Sequence, residues 1–406
     1  MPSSLINAVR PKPTIGIDIP AALGTDEQRD LLHALAAVPD PRHRRGVRYR
    51  LASLLAVAVC AVLAGATTFA AIADWAADLD EPVRARLGFT GRIPVGSTLW
   101  RFLIRIDAQL LQAVLTGWLR HRLPAQPPAS GRKDRVVIAV DGKVLRGAKL
   151  PDGRQVHLLS AYETTTGLVL AQVAIAAKSN EIPAFTPLLD QLLTQLGSLA
   201  GTIIVADALH AQVGHAHAVA ARGGQLMVQV KANQPSVHAL LKQQPWAQVP
   251  IGHQTRDRGH GRCETRTVKA LTVATPGGLG FPHAQQAVRI TRTRTRTVVG
   301  GATTRETAYL IVTLPAADAQ PQQLGDWARR EWHIENRLHW VRDVTLAEDA
   351  HQASTGNGPA VAAVLRNTSI GYHRSNGEPN IARATRRANR RPHDLIKAVT
   401  SASRTQ

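Results

Sequence analysis

The sequence predicts an α/β protein: a mixed sheet flanked by helices, preceded by an all-α N-terminal domain and interrupted by a β-rich insertion. Three observations predict it. Residues 26–120 repeat apolar side chains at helical spacing. After a Pro/Gly/Ser stretch at 124–134, PAQPPASGRKD, short β-branched runs alternate with amphipathic ones, the pattern of strands followed by helices. Residues 245–313 change to period-two alternation with few helix signals.

The elements follow in order. Residues 1–25 are rich in Pro and Gly and read as a leader. EQRDLLHALAAV has i, i+3, i+4 apolar spacing and reads as a helix. DPRHRRGVRYR is a basic connector. Residues 51–73 carry no charge and are long enough to span a bilayer, but ten of them are Ala or Gly, and the run continues into Asp74, Trp75 and Asp78. A buried helix, or a hairpin broken near Gly65, is the better reading. STLWRFLIRIDAQLLQAVLTGWL is a further helix with Ser97 or Thr98 as its cap. VVIAVDGK is a strand ending at Asp141. VHLLSAYE and LVLAQVAIAA are strands joined at TTTG, and AFTPLLDQLLTQL is an amphipathic helix. TIIVADA is a strand ending at Asp207, followed by the helix HAQVGHAHAVAARGG and the strand QLMVQVK. In VRITRTRTRTVV the alternation sets Arg292, Arg294 and Arg296 on one strand face. A long helix starts near Leu324, and the tail from Asn376 is basic and expected to be partly disordered. The domains expected are 26–123 (helical), 135–244 with 314–375 (core), 245–313 (insertion) and 376–406 (tail).

Charge narrows the function. Lys plus Arg number 49 against 29 for Asp plus Glu, a net +20, which points to a polyanionic partner, most often nucleic acid. The two cysteines, Cys60 and Cys263, form no CxxC pattern, so neither a zinc site nor a disulfide framework is expected. The N-terminus has no apolar h-region, and a cytoplasmic, nucleoid-associated protein without a membrane span is expected.

Asp141 and Asp207 each follow a buried β-branched run, and ligands bind at the C-terminal edge of such sheets. Two carboxylates there repel unless protonated or neutralised by metal. With no Cys or clustered His, oxygen ligands favour Mg²⁺ or Mn²⁺. Two such ions would activate an attacking oxygen and stabilise a leaving one at a phosphodiester. Glu335, in the Arg-dense EWHIENRLHW, is the natural third acid; a strand-end Asp that merely caps a helix is the bland alternative. Phosphate-contact candidates are Arg42, Arg44, Arg45, Arg48 and Arg50 in the basic connector, Lys143 and Arg146 after the first Asp, His210 after the second, Lys231 and Arg262; Arg329, Arg330 and Arg342 make the helix around Glu335 Arg-dense. Each is equally readable as a solvated charge or turn residue. Lys178, Asn180 and Glu181 read as loop polar groups or caps, and Asn233 as lining the same sheet edge. His260 beside Gly261 is a turn or a close approach to DNA. Trp332 and Trp340 are expected in the core rather than stacked on a base. Asp343, Glu348 and Asp349 are rival acids.

These motifs are familiar as a set. DPRHRRGVRYRLASLLAVAVCAVLAGATTFAAIADWA, IAVDGKVLRGAK, KSNEIPAFTPLLDQL, IIVADALHAQ, VKANQ, GHGRCETR and WARREWHIENRLHWVRDVTLAEDAHQ resemble, in order and spacing, the DDE transposases of bacterial insertion sequences, in the H-repeat-associated subgroup. The resemblance runs from about Leu31 to Tyr372. It implies a ribonuclease-H-like catalytic core with a β insertion between the second Asp and the Glu, and Asp141, Asp207 and Glu335 as metal-binding triad. It also implies recognition of terminal inverted repeats in double-stranded DNA, strand transfer, and a homodimer on paired ends. The family's flanking basic contacts fall on Arg329 and Arg342; where its members often carry His, this chain has Glu331. A metal-dependent nuclease without strand transfer and an inactive DNA-binding remnant are the rival functions.

Overall fold

A computed structural model describes residues 30–123, 135–176, 179–259, 261–274, 278–297 and 301–401. The leader at 1–25, the stretch at 124–134, Lys178 and His260 lie outside the described residues.

The helical segment contains α1 (Leu31–Leu35), α2 (Leu51–Leu63), α3 (Phe69–Ala77), α4 (Glu81–Arg86), α5 (Gly96–Leu103) and α6 (Ala108–Arg122). Asp30 starts α1 by accepting from the Leu32 and His33 amides. The apolar stretch at 51–73 is a broken pair: α2 ends at Leu63, Gly65 turns the chain at φ 99°, and the Thr68 hydroxyl caps α3. Every residue of α2 except Ala52 is buried, which explains an apolar run with no polar face. No single helix among the described residues is long and apolar enough to cross a membrane; only the pair α5 and α6, bent by 99°, passes by length and composition. That bend corrects the expectation of one helix over 97–119. Asp107 accepts from the Gln109 and Leu110 amides and starts a new helix there, while Ser97 and Thr98 lie inside α5, whose N-cap is Val95.

The sheet has nine strands: β1 (Val136–Lys149), β2 (Gln155–Glu163), β3 (Val169–Ala174), β4 (Thr202–Ala206), β5 (Gln225–Val230), β6 (His253–Gly259), β7 (Arg262–Thr272), β8 (Gln286–Arg296) and β9 (Thr303–Val312). Their order is β3-β2-β1-β4-β5-β9-β8-β7-β6. β1 is parallel to β4 and β4 to β5; the other pairs are antiparallel. The period-two segment of the sequence is therefore not a separate layer. It extends the same sheet through β9, which pairs with β5. The Arg face of β8 is partly neutralised: Arg294 donates to Glu264 at 2.9 Å and Arg292 pairs with Glu306.

Both faces of the central strands are covered, as their unbroken apolar runs require. Ile138, Val140, Ile204 and Ala206 face one core with Phe185 and Leu188 of α7 (Ile182–Leu196). Val137, Ala139, Ile203 and Val205 face the other, against Leu324 and Trp327 of α10 (Pro321–His333) and Ile334 and Leu338 beyond it. Helices α8 (Val213–Ala221) and α9 (Pro235–Gln243) follow β4 and β5.

Helix α11 (Gly358–Ser375) ties the ends of the chain together. Ser369 donates to the Val62 carbonyl at 3.2 Å, and His373 meets that of Leu63 at 2.9 Å, closing carbonyls at the end of α2. Of the basic tail, expected to be partly disordered, the described residues form α12 (Ile381–Arg390) and α13 (Pro392–Thr400), while 402–406 lie outside them. Its sparse apolar residues share single faces: Ile381, Ala384 and Ala388 on α12, and Leu395, Ile396 and Val399 on α13, are buried while the Arg residues point outward.

Candidate metal centre

The strand carrying Asp141 does not stop there; β1 runs on to Lys149, paired with β2, and Asp141 opposes Ser160. What stops is the parallel pairing. Val140 and Ala206 are the last partners of β1 and β4, so Asp141 and Asp207 are the next residue on each of two adjacent strands. Neighbouring strands stand about 4.8 Å apart, so the two carboxylates leave the sheet side by side. Asp207 also caps the short 3-10 turn at 208–210, accepting from the Leu209 amide at 2.9 Å. Asn233 braces that turn, donating to the Ala208 carbonyl at 2.5 Å.

The third acid arrives on a helix of unusual pitch. After α10 the chain stays helical but widens into π-turns over Ile334–His339 and Val341–Thr345. With more than four residues per turn, i and i+4 share one face, and π-turns often mark functional sites. Glu331, Glu335 and His339 stand at this spacing on the side facing the two strands. The His339 Nδ1 lies 3.4 Å from Asp141 Oδ2 and 3.4 Å from Glu335 Oε2. One ligand atom from each of Asp141, Glu335 and His339 lies within 4.8 Å of the others, a separation one divalent ion can close. Two carboxylates and one imidazole are a donor set that fits such an ion. Asp207 is not in that cluster; its neighbour on the helix is Glu331. Burial, then the negative charges of Asp207 and Asp141, push the Glu331 carboxyl up to about 7. Glu335 moves the other way: its hydrogen bond with His339, against some burial, holds it below its ordinary value.

The rival acids are each occupied. Asp343 takes the Lys143 ammonium at 2.6 Å. Glu348 is buried between Arg342, at 2.8 and 3.0 Å, and Arg366, at 3.2 Å. Asp349 faces Arg146 at 3.8 Å. Two acids of this helix are left by the strand ends: Glu335, clustered with Asp141 and His339, and Glu331, which feels the charges of Asp207 and Asp141.

Several residues read as DNA contacts are corrected. Arg342 is fully buried and paired with Glu348, so it cannot reach a phosphate. His210 is also fully buried; its Nε2 faces Glu181 at 3.3 Å and its ring packs beside Phe185 and His215. Lys143 is 9% exposed and committed to Asp343. Arg42 is pinned by Asp40 and donates to the Tyr49 carbonyl at 2.8 Å. Left exposed are Arg44, Arg45, Arg48 and Arg50 in the connector, and Arg146, Lys231, Arg262 and Arg329; Arg330, partly exposed, pairs with Asp326 at 2.7 Å. Trp332 and Trp340, expected in the core, are 58% and 55% exposed. Trp332 lines a cleft of about 540 Å³ with Lys231, Arg266, Arg329 and Glu331, between α10 and the outer strands.

Sequence reasoning missed two groups. His339 was concealed in plain helical spacing, four residues after Glu335. Glu181, read as a loop residue, lies against Gly142 and takes His157 at 3.4 Å and His210 at 3.3 Å. Burial pushes its carboxyl up, but the two imidazoles outweigh this and bring it down to about 2. Asn180, one residue before the Glu181 N-cap of α7, accepts from the Ile182 amide at 3.1 Å.

Comparison with known proteins places the chain in a family. Residues 132–370 match the transposase DDE domain, and residues 32–119 match the DDE_Tnp_1-associated domain. The chain therefore belongs to the DDE transposase family, in its H-repeat subgroup. It is similar to YncI of Escherichia coli O157:H7, a candidate transposase, at 27% identity over 84% of this chain and 86% of the relative. It is similar to the H repeat-associated candidate transposase YhhI of Escherichia coli K12 at 26% identity, over 85% and 90%. Among solved structures, a piggyBac transposase synaptic complex with hairpin DNA matches 93% of this chain and 78% of that one, at 10% identity and a TM-score of 0.41.

Proposed function

We propose that this protein is an insertion-sequence transposase in which Asp141, Asp207 and Glu335 hold two divalent ions, Mg²⁺ or Mn²⁺. The observation that carries the reading is the pairing of Val140 with Ala206, which delivers Asp141 and Asp207 side by side, with Glu335 turned to Asp141 across the His339 ring. The strand order β3-β2-β1-β4-β5, with β1, β4 and β5 parallel, supports a ribonuclease-H-like core over 135–244 and 314–375. The outer strands are then the insertion, and the helices of 26–123 the end-binding unit.

Divalent ions held by these carboxylates would activate an attacking oxygen and stabilise the leaving oxygen of a phosphodiester. The protein's own groups position the DNA. Exposed Lys231, Arg262, Arg329 and Arg146 take phosphates around the carboxylates, and Arg44, Arg45 and Arg48 hold the element end further out. The exposed Trp332 and Trp340 offer flat faces to bases near the cut. Water hydrolyses one strand, freeing a 3′-hydroxyl that attacks a target phosphodiester in line and displaces the target strand's own 3′-oxygen, with no covalent enzyme intermediate. The partners are double-stranded element ends and target DNA, bound by a homodimer in the bacterial cytoplasm at the nucleoid.

A joining assay tests the reading. Paired terminal inverted repeats with Mg²⁺ should yield products covalently joined to target DNA. Cutting without joining would leave a nuclease, and binding without cutting a DNA-binding remnant.

A further inference from the structure

We propose that His339 supplies a nitrogen ligand to the cation held by Asp141 and Glu335, and that this mixed set makes the site selective for Mn²⁺ over Mg²⁺. The inference rests on the carboxylate reading above and adds a ligand to it. Its basis is placement. His339 is 4% exposed at the side chain, yet its Nδ1 is aimed at the gap between two carboxylate oxygens, 3.4 Å from each. Ligands held about 2.1 Å from an ion in an octahedron stand about 3 Å apart, so small movements bring all three atoms onto one centre.

The ring is set for this by its helix. Four residues after Glu335, His339 shares its helix face and is buried there. Its other nitrogen, Nε2, is buried with no partner among the described residues. In the metal-free site Nδ1 stands at hydrogen-bond distance from Glu335; on metal binding the ring proton would sit on Nε2 and Nδ1 would offer its lone pair. A surface counter-ion would suffice merely to neutralise Asp141 and Glu335. Burying an imidazole between them is a costlier arrangement, which coordination accounts for.

The consequence is selectivity. Mg²⁺ prefers oxygen donors and gives up water reluctantly, whereas Mn²⁺, although the first and weakest binder of the transition-metal series, is softer than Mg²⁺ and accepts an imidazole nitrogen more readily. Asp207, with Glu331 beside it, remains an all-oxygen position. The two halves of the site thus differ in ligand chemistry, one nitrogen-bearing and one not.

The test uses the full-length protein and Mn²⁺ alone, without DNA. Pulsed EPR of bound Mn²⁺ should show ¹⁴N coupling from an imidazole. His339→Gln should abolish that coupling and lower Mn²⁺ affinity by at least about tenfold, with a smaller change for Mg²⁺. The wild-type spectrum decides even if the variant folds poorly. Mn²⁺ that binds without ¹⁴N coupling, and is lost in Asp141→Asn, would overturn the His339 assignment and leave the carboxylate site standing. Mn²⁺ that fails to bind, or binds equally well to Asp141→Asn and Glu335→Gln, would overturn both.

Discussion

Replacing Arg342 by Ala should unfold this protein more readily without changing how it grips DNA. The guanidinium is fully buried and donates to Glu348 through Nε at 2.8 Å and Nη2 at 3.0 Å. Two hydrogen bonds between charged groups contribute about 1.5–3 kcal/mol each. Their loss also strands the Glu348 carboxylate, whose level burial raises and the two Arg charges lower. Arg366 at 3.2 Å still neutralises part of that charge, so the estimate falls within the range of about 3–5 kcal/mol for breaking a buried pair. Urea unfolding should show the midpoint drop with the slope unchanged. Glu348→Gln, which keeps an acceptor but not the charge, should lose less than Glu348→Ala. In parallel, the dependence of DNA affinity on salt should stay within error of wild type. Unchanged stability, with a salt slope reduced by about one, would refute the argument and return Arg342 to the DNA surface.

The connector should behave in the opposite way. Arg44→Gln and Arg45→Gln should each weaken DNA binding at low salt and cut the salt slope by about one, whereas Arg42→Gln, already held by Asp40, should cut it less; fluorescence anisotropy across a salt series checks this. Acid should destabilise the fold from about pH 6.5 downward. His215 is held neutral to about 4 by burial and then by His210, and His351 to about 4 by burial and then by Arg366. The unfolded chain takes up those protons near 6.5 and the folded one does not, so each ring removes about 1.4 kcal/mol per pH unit down to about 4; Glu331, protonated near 7 when folded, offsets about one ring's share, and Glu181 continues the loss below 4.5. A series of urea melts from pH 7 to pH 4 measures it; a flat profile would contradict the burial of these rings. Gly147→Ala should cost about 1–3 kcal/mol, because a Cβ there meets the Asp349 and His351 carbonyl oxygens at 2.6 and 2.7 Å, and backbone cannot step aside. Gly142→Ala meets the Glu181 and His157 side chains instead, so thermal melts should show a smaller loss there.

Much of this was legible in the chain, for identifiable reasons. The β-branched runs before Asp141 and Asp207 are buried on both sheet faces, which is why they read as strands without alternation. The break in the apolar stretch at 51–73 was visible at Gly65, because that position needs a positive φ. The bend at Asp107 was not, since the apolar spacing continues across it and only the cap marks the new start. The order of the tail was hidden because two faces of three apolar residues each suffice to dock α12 and α13, while Arg dominates the composition. Within the site, the carboxylates could be found by their place after strands. The fate of Arg342, His210 and Lys143 could not, because charge in the sequence does not say whether a partner such as Glu348, Glu181 or Asp343 waits in space. His339 stayed concealed because i+4 spacing sets any side chain on the face of Glu335, and nothing in the sequence marks this one as buried beside Asp141.

The most direct measurement is metal-dependent cleavage of a labelled element-end duplex by wild type and by Asp141→Ala, Asp207→Ala and Glu335→Ala, each first shown to melt within a few degrees of wild type. The account predicts cutting by wild type that stops when the divalent ion is chelated, and its loss in all three variants. Cutting by Asp207→Ala or Glu335→Ala at the wild-type rate would contradict the triad on which the account rests.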